Sequence, residues 1–156
     1  MGIGRQSFYD TFASKHELYL EALERYNHRQ ALQIVADLRS GATPLDGLTR
    51  VLSSFVDRCE NTLEPACLGT SAICEFGRRD PTVVATLESF ANIVVEPLVR
   101  AIKQAQRRKE IRRDIEADSA AHYLLTTLGG LKVSARAGMP IEQLRKIALL
   151  ALRALE

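Results

Sequence analysis

The sequence has little of what catalytic or membrane roles require. No apolar run approaches the length needed to span a bilayer and the N-terminus has no apolar signal-peptide core, so no membrane partner is expected and a cytoplasmic location is. Cysteine is scarce: Cys59, Cys67 and Cys74 make an odd number, and no two have the close spacing of a metal box, which argues against a zinc site. Two readings of these thiols stay open. They are buried small hydrophobes, or they sense redox state, since Cys67 and Cys74 stand seven apart and would share a face if one helix carried both. His16, His28 and His122 are scattered with no second histidine at i+4, and Gly129-Gly130 lies in an apolar helical stretch rather than in a phosphate loop. With no nucleophile–base pair and no paired carboxylates either, neither catalysis nor a resident cofactor or metal is expected.

Charge is nearly balanced. A net +2 is too small to argue for nucleic acid by itself. The basic excess around Arg100, Lys103, Arg107, Arg108, Lys109, Arg112 and Arg113 reads either as a phosphate-binding patch or as a helix end whose cations favour the negative pole of the dipole. What is present in quantity is apolar surface at helical spacing. The 156 residues are 46% hydrophobic and 26% charged, enough for one sizeable core and too apolar for disorder. No segment alternates with period two between hairpin turns, so the fold class is all-α.

Helix-start signals partition the chain. Ser14-Lys15-His16-Glu17 is a capping box that opens a helix to about Leu38. Thr43-Pro44 and Asp80-Pro81 each pair a capping side chain with a proline at the first helical position, where its missing N–H costs nothing. A shorter helix carries Ser71 to Phe76. Pro97 falls inside an apolar stripe that continues past it, so it should kink that helix rather than end it. Two more helices are expected, over about residues 117–137 and 140–155. The connections are short enough for a helical bundle.

The N-terminal stretch Gly2-Ile3-Gly4-Arg5-Gln6-Ser7-Phe8-Tyr9-Asp10-Thr11-Phe12-Ala13-Ser14-Lys15-His16-Glu17-Leu18 reads as a short helix followed at once by a capped longer one. It resembles the second half of the DNA-binding domain of the tetracycline-repressor (TetR) family, with Gly4 where a small hydroxyl residue is usual. The resemblance is strong over the first twenty or so residues. It implies a helix-turn-helix head whose two preceding helices lie upstream of residue 1, through truncation or a displaced start; the alternative is a headless paralogue. It also divides the chain functionally into 1–40, part of the reading head and its connecting helix, and 41–156, an effector-binding and dimerisation region.

In a helix-turn-helix the N-terminal residues of the reading helix face base edges, which makes Arg5, Gln6 and Ser7 the candidates for operator reading. By resemblance, Tyr9 would touch a phosphate or a thymine methyl and Lys15 would grip backbone phosphate. The resemblance further implies a small-molecule effector held between helices of the second region. Cys74, Glu75, Asn92, Glu96, His122, Tyr123 and Thr126, polar residues within apolar helices there, are the candidates, around a cavity between the Ser71–Phe76 helix, the Pro97 kink and residues 122–126. The last two helices carry surplus apolar surface. In the family they pair with their symmetry mates, so Leu124, Leu128, Leu131, Leu144, Ile147, Ala148, Ala151 and Leu152 are expected at a homodimer interface. The resulting expectation is a ligand-responsive repressor released from operator DNA by its effector. A headless dimeric ligand-binding or interaction module is the alternative.

Overall fold

A computed structural model describes residues 12, 14–61 and 67–156. Its first helix, α1 (Lys15–Arg39), begins where the Ser14 hydroxyl accepts from the Glu17 N–H at 3.1 Å, the N-cap bond of the expected capping box. Thr43 caps α2 (Pro44–Glu60) by accepting from the Asp46 N–H. The chain reverses between these helices at very short range. A Cβ on Gly47 would sit 2.2 Å from the Leu38 carbonyl oxygen, and one on Gly41 would sit 2.1 Å from the Gly47 nitrogen, so neither position has room for a side chain.

The short helix α3 (Leu68–Phe76) starts three residues before Ser71, with Cys67 as its N-cap residue. Asp80 caps α4 (Pro81–Arg107) through the N–H groups of Thr82 and Val83, and the helix runs through Pro97 as one element because Val94, Leu98, Ile102 and Ala105 bury its stripe on both sides of the proline. By length and composition alone α4 could cross a membrane, its apolar window having a mean hydropathy of 1.4. That corrects the sequence expectation of no such run. Its Val94, Leu98, Ile102 and Ala105 are buried in the main core of the bundle, and 17% of that window is buried in all.

Glu116 caps α5 (Ala117–Arg136), accepting from the N–H groups of Asp118 and Ser119, and Pro140 leads into α6 (Ile141–Arg153). The described residues form helices and turns with no strand, the all-α bundle expected. The basic stretch after α4 serves as capping chemistry. Arg112 donates to the Ala154 carbonyl at the end of α6 and Arg113 to the Gln106 carbonyl at the end of α4, so both cations sit at the negative poles of helices.

The main core gathers α2, α4, α5 and α6 with the second half of α1, around Leu48, Leu52, Leu98, Ile102, Leu124 and Leu144, all 0–1% exposed. A smaller cluster under α3 joins Leu23 of α1, Ala72 of α3 and Val83 of α4, and the rings of Tyr19 and Phe76 pack beside it at a tilt of 48° with centroids 5.3 Å apart. Between the two clusters the packing is incomplete.

Candidate functional site

That gap is a cavity of about 190 Å³. It is floored by Leu87 and Phe90 of α4 and by Leu125 and Leu128 of α5, which present only carbon. Its polar groups come from α1, from α3 and from further along α5. Tyr26, Asn27 and Gln30 enter from α1, Cys67 and Thr70 from the start of α3, and Lys132 from α5. Gly69 brings two of these together, since a Cβ placed on it would lie 2.9 Å from Asn27 Oδ1 and 3.9 Å from Cys67 Sγ. A mostly apolar wall with a few convergent polar groups is the usual make-up of a small-molecule site.

The electrostatics of this cluster are unusual for a protein interior. Burial pushes the Cys67 thiol up, but the Lys132 ammonium, the hydroxyl and N–H of Thr70 and the Tyr26 hydroxyl outweigh it and hold the thiol below its ordinary range. Tyr26 moves the other way, to about 12, through burial and then through the charge and hydrogen bond of the neighbouring Cys67, so it stays protonated and can donate to sulfur. Among the described residues Lys132 makes no ion pair with a carboxylate. Asn27 is 5% exposed, and its Nδ2 has no hydrogen-bond partner among the described residues. Leaving such a donor unsatisfied costs about 1–3 kcal/mol. The cavity therefore offers a cation with no carboxylate partner among the described residues, an unsatisfied amide donor and a thiol held below its ordinary range to whatever occupies it.

None of the seven residues expected at an effector site lines this cavity. Cys74, Glu75, Asn92, Glu96, His122, Tyr123 and Thr126 are all exposed. The physical reason is the helical wheel: each interrupts an apolar stripe by pointing away from it, as Glu96 does in pairing with Arg100, and His122 in bonding the Asp118 carbonyl. The cavity lies between α3, α4 and α5 as expected, but α1 closes it, and Pro97 lines a different, more open groove beside the α1–α2 turn. The residues that do line it were legible only in part. Cys67 is marked out by its thiol; nothing in the sequence distinguishes Asn27 or Lys132 from other polar positions on amphipathic helices.

The expected interface residues are also placed differently. Leu124, Leu128, Leu131, Leu144, Ala148, Ala151 and Leu152 are buried in the core of the chain itself, each 4% exposed or less, and only Ile147 is half-exposed. The outward face of α5 instead carries Tyr123, Thr126, Gly130 and Val133, and that of α6 carries Ile147 and Leu150. Leu150 is 68% exposed and Val133 50%. A Cβ added at Gly130 would meet nothing within 4 Å inside the chain.

Of the expected DNA-reading residues, Arg5, Gln6, Ser7 and Tyr9 lie outside the described residues, and Lys15 is exposed at the first position of α1. The three thiols are free, with Cys59 buried, Cys67 half-buried and Cys74 exposed. Among the described residues no cluster of histidine, cysteine or carboxylate could hold a metal ion.

Comparison with known proteins places this architecture. The model of the tetracyclin repressor-like C-terminal domain family matches residues 44–148. No curated protein matches the chain. Among solved structures, a cysteine mutant of the TetR family transcriptional regulator CifR, complexed with 26-base-pair operator DNA, superposes with a TM-score of 0.81 at 22% identity, covering 99% of this chain and 81% of that one. A second CifR cysteine mutant, again with operator DNA, gives 0.80 at 23% identity over 97% of this chain and 80% of the other. The reduced form of NemR from E. coli gives 0.79 at 17% identity over 99% and 81%. At these identities the likeness is one of fold.

Proposed function

The chain belongs to the tetracyclin repressor-like family, and from that premise we propose that it is a homodimeric transcriptional regulator, not an enzyme, which reads an operator through residues 1–40 and releases it when a small effector fills the cavity between α1, α3, α4 and α5. One observation carries the effector reading: α1 is at once a wall of the cavity and the helix on which the N-terminal motif stands. Its Tyr26, Asn27 and Gln30 line the cavity, and its first turn follows directly on the motif that resembles a reading helix. At 1.5 Å per residue, Asn27 is roughly 18 Å along the same rigid rod from Lys15. An occupant that shifts α1 near Asn27 moves its far end too.

The functional boundary near residue 40 is not a packing boundary, because Ala31 and Ile34 of α1 are part of the main core. This favours a device in which the connecting helix is moved by the core and carries the head with it. The outward faces of α5 and α6 are the proposed dimer contact. The exposed Val133 and Leu150 and the bare Gly130 on these faces would let a second copy approach closely, and two-fold pairing sets the spacing of two heads on a palindromic site.

Selection from a randomised duplex pool with the full-length protein, followed by anisotropy titrations at two salt concentrations, tests the regulator reading. A palindromic sequence should be enriched. Arg5→Ala should cost about 1–3 kcal/mol and relax preference at one base pair per half-site, whereas Lys15→Ala should weaken all sequences alike and flatten the salt dependence. A folded dimer that enriches no sequence overturns the regulator reading in favour of a ligand-binding dimer that does not read DNA.

A further inference from the structure

The walls of the cavity favour one negative charge. Lys132 of α5 lines it, makes no ion pair with a carboxylate among the described residues, and shares the lining with no described aspartate or glutamate. The positive pole of the nine-residue α3 opens on the same space, since Cys67, Gly69 and Thr70 at its start are lining residues. Asn27, 5% exposed, adds an amide Nδ2 without a partner among the described residues. Room for an apolar body lies beside the cation. On α5, Leu125, Gly129 and Lys132 stand at i, i+4 and i+7 along one stripe, about 10 Å from end to end. A Cβ built on Gly129 meets no atom within 4 Å, so nothing in the packing of the chain asks for glycine in mid-helix, where it weakens the helix relative to alanine. The bare turn adjoins a space of about 190 Å³ walled by Leu87, Phe90, Leu125 and Leu128, and a cavity of about 150 Å³ with such a lining takes up benzene.

Building on the effector reading, we propose that the cavity takes a small aromatic monocarboxylate, bound without any covalent bond: the Lys132 ammonium and the Asn27 amide donate to its carboxylate, and its single ring fills the carbon-walled space beside the bare Gly129. The charge balance selects the class. One ammonium with neutral donors matches a monoanion, whereas a phosphate dianion would hold a second charge away from water with nothing to pair it. Size selects the rest. One ring fits a space slightly larger than a benzene cavity, and a side chain grown from position 129 would take that space away. Cys67 stays a neutral thiol beside the bound carboxylate, because a thiolate would compete with it for the same ammonium.

Calorimetric titration of the protein with benzoate, and with benzamide as its neutral counterpart of the same shape, tests the assignment. Benzoate should bind at least about tenfold more tightly than benzamide and raise the melting temperature by mass action. Lys132→Met should remove that preference by weakening benzoate alone, a split that a packing defect would not produce. Gly129→Leu should abolish binding of both compounds, while the free protein melts no lower than the parent because the new side chain grows into open space. Absence of both heat and thermal shift with millimolar benzoate overturns the proposal. So does benzamide bound as tightly as benzoate, or a Lys132→Met protein that keeps the preference, although an uncharged effector in the same cavity would survive either result. Benzoate that binds as expected but leaves operator affinity of the full-length protein unchanged supports the carboxylate site and counts against the effector reading.

Discussion

Replacing Leu150 with serine separates the outward face of α6 from its inward one. Leu150 is 68% exposed in the single chain, whereas Leu152, two residues on, is 4% exposed. Fully burying a leucine side chain contributes about 1.5–3 kcal/mol, so covering the exposed part of Leu150 contributes roughly 1–2 kcal/mol per copy. A two-fold interface uses it twice, and losing about 2–4 kcal/mol raises the dimer dissociation constant roughly 30- to 700-fold. The isolated protomer should hardly notice, since a surface substitution of this kind stays within about 0.5 kcal/mol. Leu152→Ala should do the reverse. It opens a cavity in the core at a cost of about 2–5 kcal/mol, lowering the melting temperature by roughly 4–20 °C. Sedimentation over a concentration series reports the first effect and thermal melts at matched concentration the second. A Leu150→Ser protein that dissociates at the same concentration as the parent would show that α5 and α6 do not meet a second copy through this face.

Two glycines should respond to alanine with opposite signs: Gly47→Ala drives a Cβ against the Leu38 carbonyl and should destabilise by about 1–3 kcal/mol, while Gly129→Ala, with open space around it in mid-helix, should stabilise by about 0.5–1 kcal/mol, both read by urea unfolding. Asp80→Ala removes the cap of α4 along with the 3.2 Å contact to His16, and should cost about 0.5–2 kcal/mol in the same assay. The N–H groups of Asp118 and Ser119, with the Ser119 hydroxyl, hold the Glu116 carboxyl below the usual carboxylate range. Its contribution is therefore present above the ordinary glutamate value and lost as pH falls through the lowered one, so Glu116→Gln should flatten that part of the acid limb of a stability–pH profile.

The helices were legible in the sequence because their signals are local. A hydroxyl or carboxylate at an N-cap, a proline one residue later and an apolar residue every third or fourth position act within a turn or two of themselves, and Ser14, Thr43 and Asp80 all cap where expected. The N-terminal motif was legible for the same reason, as contiguous residues in a specific order. Which side of each helix faces which neighbour was not. Leu152 and Leu150 are the same residue type two positions apart, about 200° around the helix, and only the packing of α6 against α2 and α5 decides which is buried and which is left in solvent. Polar residues on apolar helices likewise marked outward faces, so Tyr123 and Thr126 belong to the proposed dimer surface rather than to the cavity. The cavity itself joins Asn27, Cys67 and Lys132, residues separated by 40 and 65 positions. No periodicity spans such distances. Their meeting, and with it the thiol's altered chemistry, exists only once α1, α3 and α5 are packed around a space that apolar side chains leave unfilled.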